Sequence, residues 1–169
     1  ITNVTITDNY CVDTDNSGSG IYCAYPNVNF EMTNSIVWNN SNNQISGGSG
    51  WSSNAGTILY SDIQGGYTGI GNIDSDPLFV DAVNGDYHLQ SSSPCINTGD
   101  PDTDGDGITW VTDVDDRDHD GTRKDMGAYY YDLQPATSVE ITGTSGFRIL
   151  SSPVSGNIYS DLLDELWTQ

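Results

Sequence analysis

The chain has 169 residues, which is enough for one domain with a hydrophobic core and the beginning of a second. Its 24 acidic residues outnumber 4 lysines and arginines, and the formal net charge of −20 argues against binding to nucleic acid or to anionic membrane surfaces. No apolar run is long enough for membrane insertion, while ten tyrosines, four tryptophans and 35% hydrophobic residues argue against disorder. The abundance of Gly, Ser, Asn, Asp and Thr is typical of a turn-rich all-β fold.

A degenerate repeat occupies the first two thirds of the chain. Aligned at spacings of 31 and 26 residues, three short segments bring together the β-branched positions Ile6, Val37 and Ile63. Two positions earlier the same segments carry small or apolar residues, namely Val4, Ser35 and Ser61. A spacer between two such positions, followed by a polar turn, predicts a short strand with alternating faces. Repeated strands at this spacing predict a solenoid whose coils cover one another.

Loops and aromatic residues accompany these predicted coils. The Gly- and Asn-rich stretches 13–20 and 46–50 are predicted to leave the coil corners as loops. Four aromatic residues on or near loops either stack on sugars or cover the apolar stack from outside, and they are Trp38, Trp51, Tyr60 and Tyr67. The three cysteines leave one thiol unpaired at least, and the sequence leaves a Cys11–Cys23 disulfide open.

The pattern changes after Asp74. Two strand-like pieces at 77–80 and 87–90 flank an Asn-Gly dipeptide, which predicts a hairpin. His88 in the second piece is expected to be a half-buried structural residue. The run DMGAYYYD at 125–132 is predicted to be one last strand.

Residues 100–121, the acid-rich segment, contain nine aspartates. Asp102, Asp104 and Asp106 occupy positions 1, 3 and 5 of a calcium-loop pattern whose sixth position is glycine. In that pattern Ile108 supplies a backbone carbonyl at position 7, and Asp113 occupies position 12, one methylene shorter than the usual glutamate. The spacing predicts a structural Ca²⁺ site, and a solvated acidic loop that needs no ion is the alternative.

A second copy of the same pattern follows the first. It consists of Asp116, Asp118 and Asp120 with a glycine directly after them, and it has no acid at its twelfth position. Asp125 could close this second loop from a different geometry, while His119 is expected to be solvated because calcium prefers oxygen ligands. Both loops would tie an irregular cap to the end of the coils.

The tail has a different composition. Residues 133–138 are predicted to be a linker, and 139–169 to begin a second module with a strand around 147–150 and a short helix around 159–167. The predicted domains are therefore 1–132, with coils and cap, and 139–169.

Catalytic patterns are weak in this sequence. Residues 1–116 contain neither arginine nor lysine, which argues against a β-eliminating polysaccharide lyase on the coils. No carboxylate pair is distinguished as a glycosidase site, and no nucleophile triad or cysteine-based zinc spacing occurs. We therefore expect no catalytic residues in this chain.

The motifs DPLF (76–79), SPCI (93–96) and DMGA (125–128) carry a family resemblance. Together with the preceding TNSIVWNN, they resemble the closing section of right-handed parallel β-helix repeat proteins that bacteria secrete or display, with a choice-of-anchor end segment. The resemblance covers about residues 1–132. The tail GFRILSSPVSGNIYSDLLDELWTQ is similar to a module that follows such helices in cargo proteins of the type-nine secretion system.

The resemblance implies an all-β right-handed parallel β-helix located outside the cell or on its surface. Together with the acid-rich segment, it leads us to expect a structural or adhesive module that is stabilised by calcium. Open coil ends would permit self-association into assemblies or fibres. The alternatives are the non-catalytic end of a polysaccharide-degrading enzyme and a carbohydrate-binding module, either of which would have a polysaccharide as its partner.

Overall fold

A computed structural model of the chain describes residues 1–12, 20–23, 30–48 and 56–132. Trp51, most of the predicted loop inserts, the linker at 133–138 and the module at 139–169 lie outside these ranges. Ile1–Asp132 forms one compact unit.

The regular structure of the described residues is almost entirely β, as the composition predicts. The strands are two to four residues long, and a single 3₁₀ turn at Ala82–Asn84 is the helical element of this part of the chain. In chain order they are β1 (Thr5–Thr7), β2 (Ile21–Cys23), β3 (Glu31–Thr33), β4 (Ile36–Trp38), β5 (Ile45–Gly47), β6 (Thr57–Leu59), β7 (Asp62–Ile63), β8 (Phe79–Asp81) and β9 (Asp86–Leu89). Strand β5 includes Ser46 and Gly47, which the sequence predicted to lie in a loop.

Strands β1 to β7 pair in parallel, each with the strand three elements further along the chain. The sheet order is β1–β4–β7, and β2 pairs with β5 while β3 pairs with β6. Ile6 faces Val37, and Val37 faces Ile63, so the register predicted from the repeat is confirmed. The chain therefore returns to the same sheet position after 31 and then 26 residues.

The backbone turns at recurring places on either side of this sheet. Before the strands, left-handed φ angles of 52°, 52° and 46° occur at Asn3, Asn34 and Tyr60. After the strands they recur at Asp8, Asn39 and Gly65. Asparagine, aspartate and glycine tolerate this conformation better than other residues, which explains five of these six positions, Tyr60 being the exception.

The alternating side chains of the parallel strands build an inner core. Met32, Val37, Ile58 and Ile63 are at most 2% exposed and pack together. The partly buried residues Ile6, Ile21, Phe30, Ile45 and Tyr67 surround them. Burial of each large aliphatic side chain contributes about 1.5–3 kcal/mol, so this core is the main stabilising feature of the stack.

Serine hydroxyls connect successive levels of the β1–β4–β7 sheet. Ser35 Oγ accepts a hydrogen bond from the N–H of Val4 (3.3 Å) and donates to the carbonyl of Thr33 (2.9 Å). Ser61 repeats this one level further on, accepting from the N–H of Ser35 (3.2 Å). The repeat therefore selects serine because a small side chain at this position satisfies backbone groups in the buried interior.

The segment after residue 75 packs on the outer face of the β1–β4–β7 sheet. Ile36, whose neighbour Val37 points into the inner core, contacts Leu89, Cys95 and Met126 in an outer core. Ile36 and Val37, on the two faces of β4, are thus both fully buried, as in parallel sheets that are covered on both sides. The sequence predicted a cap at the end of the coils, whereas these contacts lie on one face of the β1–β4–β7 sheet.

Hydrogen bonds donated by two backbone N–H groups fix this outer layer to the sheet. The N–H of Gly127 donates to the carbonyl of Asn34 (2.8 Å), and the N–H of Ala128 donates to Thr5 Oγ1 (3.0 Å). A Cβ atom on Gly127 would lie 2.7 Å from Ile36 Cδ1, so the close approach of the layer requires glycine there.

The predicted hairpin is present, but the last predicted strand is not. Strands β8 and β9 pair antiparallel, and Gly85 ends the intervening turn with φ 81°. Residues 125–132 form turns instead of a strand. The Asp125 carboxylate accepts the N–H groups of Asn97 (2.7 Å) and Tyr131 (2.5 Å), which bends the chain back on itself.

The three cysteines are free thiols, so Cys11 and Cys23 do not form a disulfide. Burial raises the pKa of the Cys23 thiol. Within the described ranges, no helix has the length and apolar character needed to cross a bilayer.

Candidate cation site

The acid-rich segment at 100–121 is anchored where it leaves the outer layer. The N–H of Asp100 donates to Asn34 Oδ1 (2.6 Å), beside the corner of the β4 level. The N–H of Gly99 donates to the carbonyl of Lys124 (2.8 Å), which brings the two ends of the segment together.

The first part of the segment is folded by its own carboxylates. Asp102 accepts the N–H groups of Gly105 (2.9 Å) and Gly107 (3.0 Å). Asp104 and Asp106 each accept the N–H two residues further on, at 3.1 and 2.7 Å. Alternating aspartates therefore produce consecutive tight turns, which is the local reason for a compact loop at this sequence.

One aspartate of the segment is buried. Asp116 is 1% exposed, and its Oδ1 accepts the N–H (2.6 Å) and the hydroxyl of Thr103. Its Oδ2 is buried without a hydrogen-bond partner. Carboxylate oxygens of Asp102, Asp104 and Asp116 lie within 4.8 Å of one another, so these residues, the buried trio, could hold a metal ion.

A second group of carboxylates lies next to the first. Asp104, Asp113 and Asp115 form the surface trio, whose oxygens are equally close together. A hydrogen bond between the side chains of Asp113 and Asp115 raises the pKa of Asp113 and lowers that of Asp115. Asp115 was not recognised from the sequence, although its place two residues after Asp113 repeats the alternation of the first loop.

The predicted ligand sets are rearranged in the structure. Asp116 was expected to open the second loop, yet it lies with Asp102 and Asp104 of the first. Asp113 meets Asp104 in the surface trio, and Asp106 belongs to neither trio in the described part of the chain. The role of the Ile108 carbonyl as a ligand stays a prediction.

The remaining predicted ligands surround a threonine. Thr122 donates its N–H to Asp120 Oδ1 (2.9 Å), and its hydroxyl contacts Asp118 Oδ1 (3.4 Å). Asp118 Oδ2 is buried without a hydrogen-bond partner. Burial and, to a smaller degree, the neighbouring Asp120 raise the pKa of Asp118 to about 7. These carboxylates do not join either trio.

Basic side chains brace the turns around the trios through neutral oxygens. Lys124 Nζ donates to Thr103 Oγ1 (2.8 Å) and to the carbonyl of Asp115 (2.7 Å). Arg117 Nε donates to the carbonyl of Trp110 (2.6 Å). These bonds fix the backbone on which the carboxylates are mounted.

The aromatic residues considered as sugar ligands contribute to the cores. Trp38 and Tyr60 pack against the outer core, and Tyr67 packs against the inner core. The Arg123 guanidinium lies 5.6 Å from the centre of the Tyr60 ring. The three described rings are thus half-buried, while Trp51 lies outside the described residues.

The histidine in β9 is exposed, contrary to the expectation of a half-buried residue. The His88 side chain is 60% exposed and lies 2.7 Å from Asp86 Oδ1. Its ring contacts that of Tyr129 with centroids 4.4 Å apart. The hydrogen bond from His88 lowers the pKa of Asp86.

A buried carboxylate in the sheet was not predicted. Asp62 lies in β7 and is fully buried. It accepts hydrogen bonds from the N–H of Ser75 (3.2 Å) and from the Cys95 thiol (3.2 Å). Burial, reinforced by the charges of Asp74 and Asp76, raises the pKa of Asp62 to about 6. Burial also raises the pKa of Cys95.

Comparison with known proteins adds no relative to these observations. No family model matches the chain, and neither a curated protein nor a solved structure is significantly similar to it. The resemblance to secreted β-helix proteins therefore stays a prediction that rests on the short motifs quoted above.

Proposed function

We propose that residues 1–132 are a structural β-helix module outside the cell, in which a calcium ion stabilises the acid-rich segment. The parallel pairing of each strand with the strand three elements later supports a solenoid with three short strands per coil. Parallel strands of one sheet are joined by right-handed crossovers in nearly all proteins, which supports the right-handed form.

The buried carboxylate of Asp116 is the observation that carries the cation proposal. A buried charged oxygen without a partner costs several kcal/mol, and native proteins rarely leave one uncompensated. The nearby oxygens of Asp102 and Asp104 make protonation of one group or binding of a cation the two ways to relieve this cost. Three carboxylates within 4.8 Å of one another favour the cation.

The chemistry of the donors favours calcium among the divalent cations. The buried trio offers hard carboxylate oxygens on an irregular loop. Calcium accepts six to eight oxygens in flexible geometry at about 2.3–2.6 Å, whereas magnesium demands a near-ideal octahedron and zinc prefers nitrogen and sulfur. Oxygens 4.8 Å apart or less can contact one such ion from opposite sides.

The role of the ion would be structural. It would join residues 102–104 to residue 116, thereby closing the loop that the outer layer holds at its base. Sites of this kind in extracellular modules bind calcium with dissociation constants of about 0.1–1 mM, which matches calcium-rich surroundings. The exterior location and the adhesive role are thus proposed together with the ion.

Thermal unfolding with millimolar calcium and with excess chelator tests this proposal. A ligand that binds only the folded state stabilises it by about 2.7 kcal/mol at a hundred-fold excess over its Kd. We expect a higher Tm in calcium and a smaller rise in magnesium. The same Tm in calcium and in chelator would contradict the proposal.

Self-association through the open edges of the parallel strands is a second part of the proposed role. The outer edges of β1 and β2 carry no partner strand among the described residues, and unpaired edges can receive a second copy. Sedimentation at high protein concentration with calcium should detect oligomers. Monomers throughout would contradict this part while leaving the calcium site untouched.

A further inference from the structure

A cleft of about 540 Å³ opens beside the first corner of the strand stack. Asn3 lines it from the corner, and the turns of residues 117–130 supply most of the other walls. This volume falls within the range of about 300–1,000 Å³ that is common for small-molecule sites. The cleft is distinct from both carboxylate trios.

The walls of the cleft carry both signs of charge in fixed positions. Arg117 and Lys124, two of the four lysines and arginines in the chain, line it together with Asp118 and Asp125. Arg117 Nη2 is held by the carbonyl of Val111 (2.7 Å). The cleft therefore has no excess of one sign among its charged residues, and the net charge of −20 of the whole chain repels anions, so a neutral ligand suits the cleft better.

The same walls offer both donors and an acceptor. Lys124 Nζ donates to Thr103 Oγ1 and to the carbonyl of Asp115, which leaves one of its three protons for a ligand. Asp118 is half-buried, and its Oδ1, which has a long contact of 3.4 Å with the Thr122 hydroxyl, can accept a further hydrogen bond. A ligand rich in hydroxyl groups matches this combination, since each hydroxyl both donates and accepts. An apolar ligand would leave these groups without compensation.

A flat aromatic surface lies beside the polar groups. The rings of His119 and Tyr130 stack with centroids 5.6 Å apart and an interplanar angle of 21°. Tyr130 is 47% exposed, and both residues line the cleft. The apolar face of a sugar ring packs on such a surface while its hydroxyls reach polar groups at the edge.

We propose that this cleft binds one neutral saccharide unit. The sugar ring stacks on Tyr130, and its hydroxyls bond to Asp118 and Lys124. This role goes beyond that of a structural module, and it involves none of the four aromatic residues singled out in the sequence.

Saturation-transfer NMR with separate neutral sugars, namely glucose, galactose, mannose and xylose, tests the cleft, and glucuronate is the anionic comparison. We expect transfer to at least one neutral sugar, a shift of the His119 ring signals at the same titration point, and weaker binding of glucuronate. No transfer to any neutral sugar, or preference for glucuronate, would overturn the proposal.

Two neighbouring tyrosines provide a matched pair of variants. Tyr130→Ala should weaken the binding of the sugar about tenfold, the loss of one stacking contact. Tyr129→Ala removes a similarly exposed ring that contacts His88 and does not line the cleft, and it should leave the affinity unchanged. Equal losses of sugar affinity in the two variants would overturn the proposal that the sugar binds in this cleft.

Repeating the titration with chelator separates this proposal from that of the calcium site. If sugar binding persists and calcium has no effect on Tm, the proposed calcium site is contradicted and the proposed sugar site is not. A calcium-dependent Tm without sugar binding would contradict the cleft alone.

Discussion

Thr103 and Asp116 are joined by two hydrogen bonds to one carboxylate oxygen, and the other oxygen of Asp116 is buried with no partner. The pairing holds the carboxylate in one orientation. A fixed, dehydrated charge of this kind is costly alone and favourable beside a cation. The stability of the protein should therefore depend on Asp116 in opposite directions with and without calcium.

We expect Asp116→Asn to reverse the order of stability between two solutions. In chelator, removal of the buried charge should raise the free energy of unfolding by about 1 kcal/mol or more, because an amide is cheaper to bury. In calcium, the variant should be less stable than the wild type. Urea unfolding in both solutions measures the two differences. A variant that is less stable in both would contradict the dependence on an ion.

The neighbouring residues Asp104 and Asp106 provide a matched comparison. Each carboxylate accepts the N–H two residues later, and each loses one charge on substitution by asparagine. Of these two residues, Asp104 belongs to both trios and Asp106 to neither, among the described residues. Asp104→Asn should therefore lower calcium affinity about tenfold or more, whereas Asp106→Asn should change it little.

Isothermal titration with calcium measures both affinities. Equal losses would instead support the linear loop pattern predicted from sequence, in which Asp106 is a ligand. The comparison thus distinguishes the observed geometry from the sequence motif.

Asp62 should make stability depend on pH. Burial raises its pKa from the usual 3.8 to about 6, so the folded state retains the proton more strongly than the unfolded state. The stabilisation by this group is complete below pH 3.8 and is lost as the pH rises through about 6. The difference in the free energy of unfolding between Asp62→Asn and the wild type should therefore shift by about 1–2 kcal/mol in favour of the variant as the pH rises from acidic to neutral. Unfolding in urea across this interval, in chelator, measures the difference, and a constant difference would contradict it.

Gly127 should be intolerant of a side chain. Its φ of 101° is unfavourable for alanine, and an added Cβ would lie 2.7 Å from Ile36 Cδ1 and 3.0 Å from Thr5 Oγ1. Gly127→Ala should cost about 2 kcal/mol or more, through overpacking and backbone strain together. Gly85→Ala has a similar backbone conformation in open space, and it should cost about 1 kcal/mol. Similar Tm losses in the two variants would contradict the importance of close packing.

Much of the parallel sheet could be predicted from sequence because its determinants are local. Apolar alternation and polar turns repeat at each level, so aligning Val37 with Ile6 and Ile63 also gave their pairing partners. The position of the outer layer depends on non-local packing. Nothing in the immediate surroundings of Ile36 indicates that Met126 covers it.

The site was predicted in composition but not in arrangement. The carboxylates of Asp102 and Asp104 lie close together, as their spacing suggested, while their role as calcium ligands stays a prediction. A linear motif assumes that ligands follow one another along a single loop, whereas Thr103 bonds to a carboxylate thirteen residues later. Asp116 therefore lies with the residues of the first predicted loop instead of opening the second, and only the tertiary contact shows this placement.

The hydrogen bond from Ala128 to Thr5 joins residues 123 positions apart. Thr5 leaves the ribosome well before Ala128 does, so this bond can form only after the last turn of the unit has been synthesised. Until then Ile36 presents an apolar surface to water, which is a hazard for aggregation. Complete folding of this unit must therefore follow the synthesis of its chain and cannot accompany it. Chaperones that bind extended polypeptides would have their greatest effect in that interval.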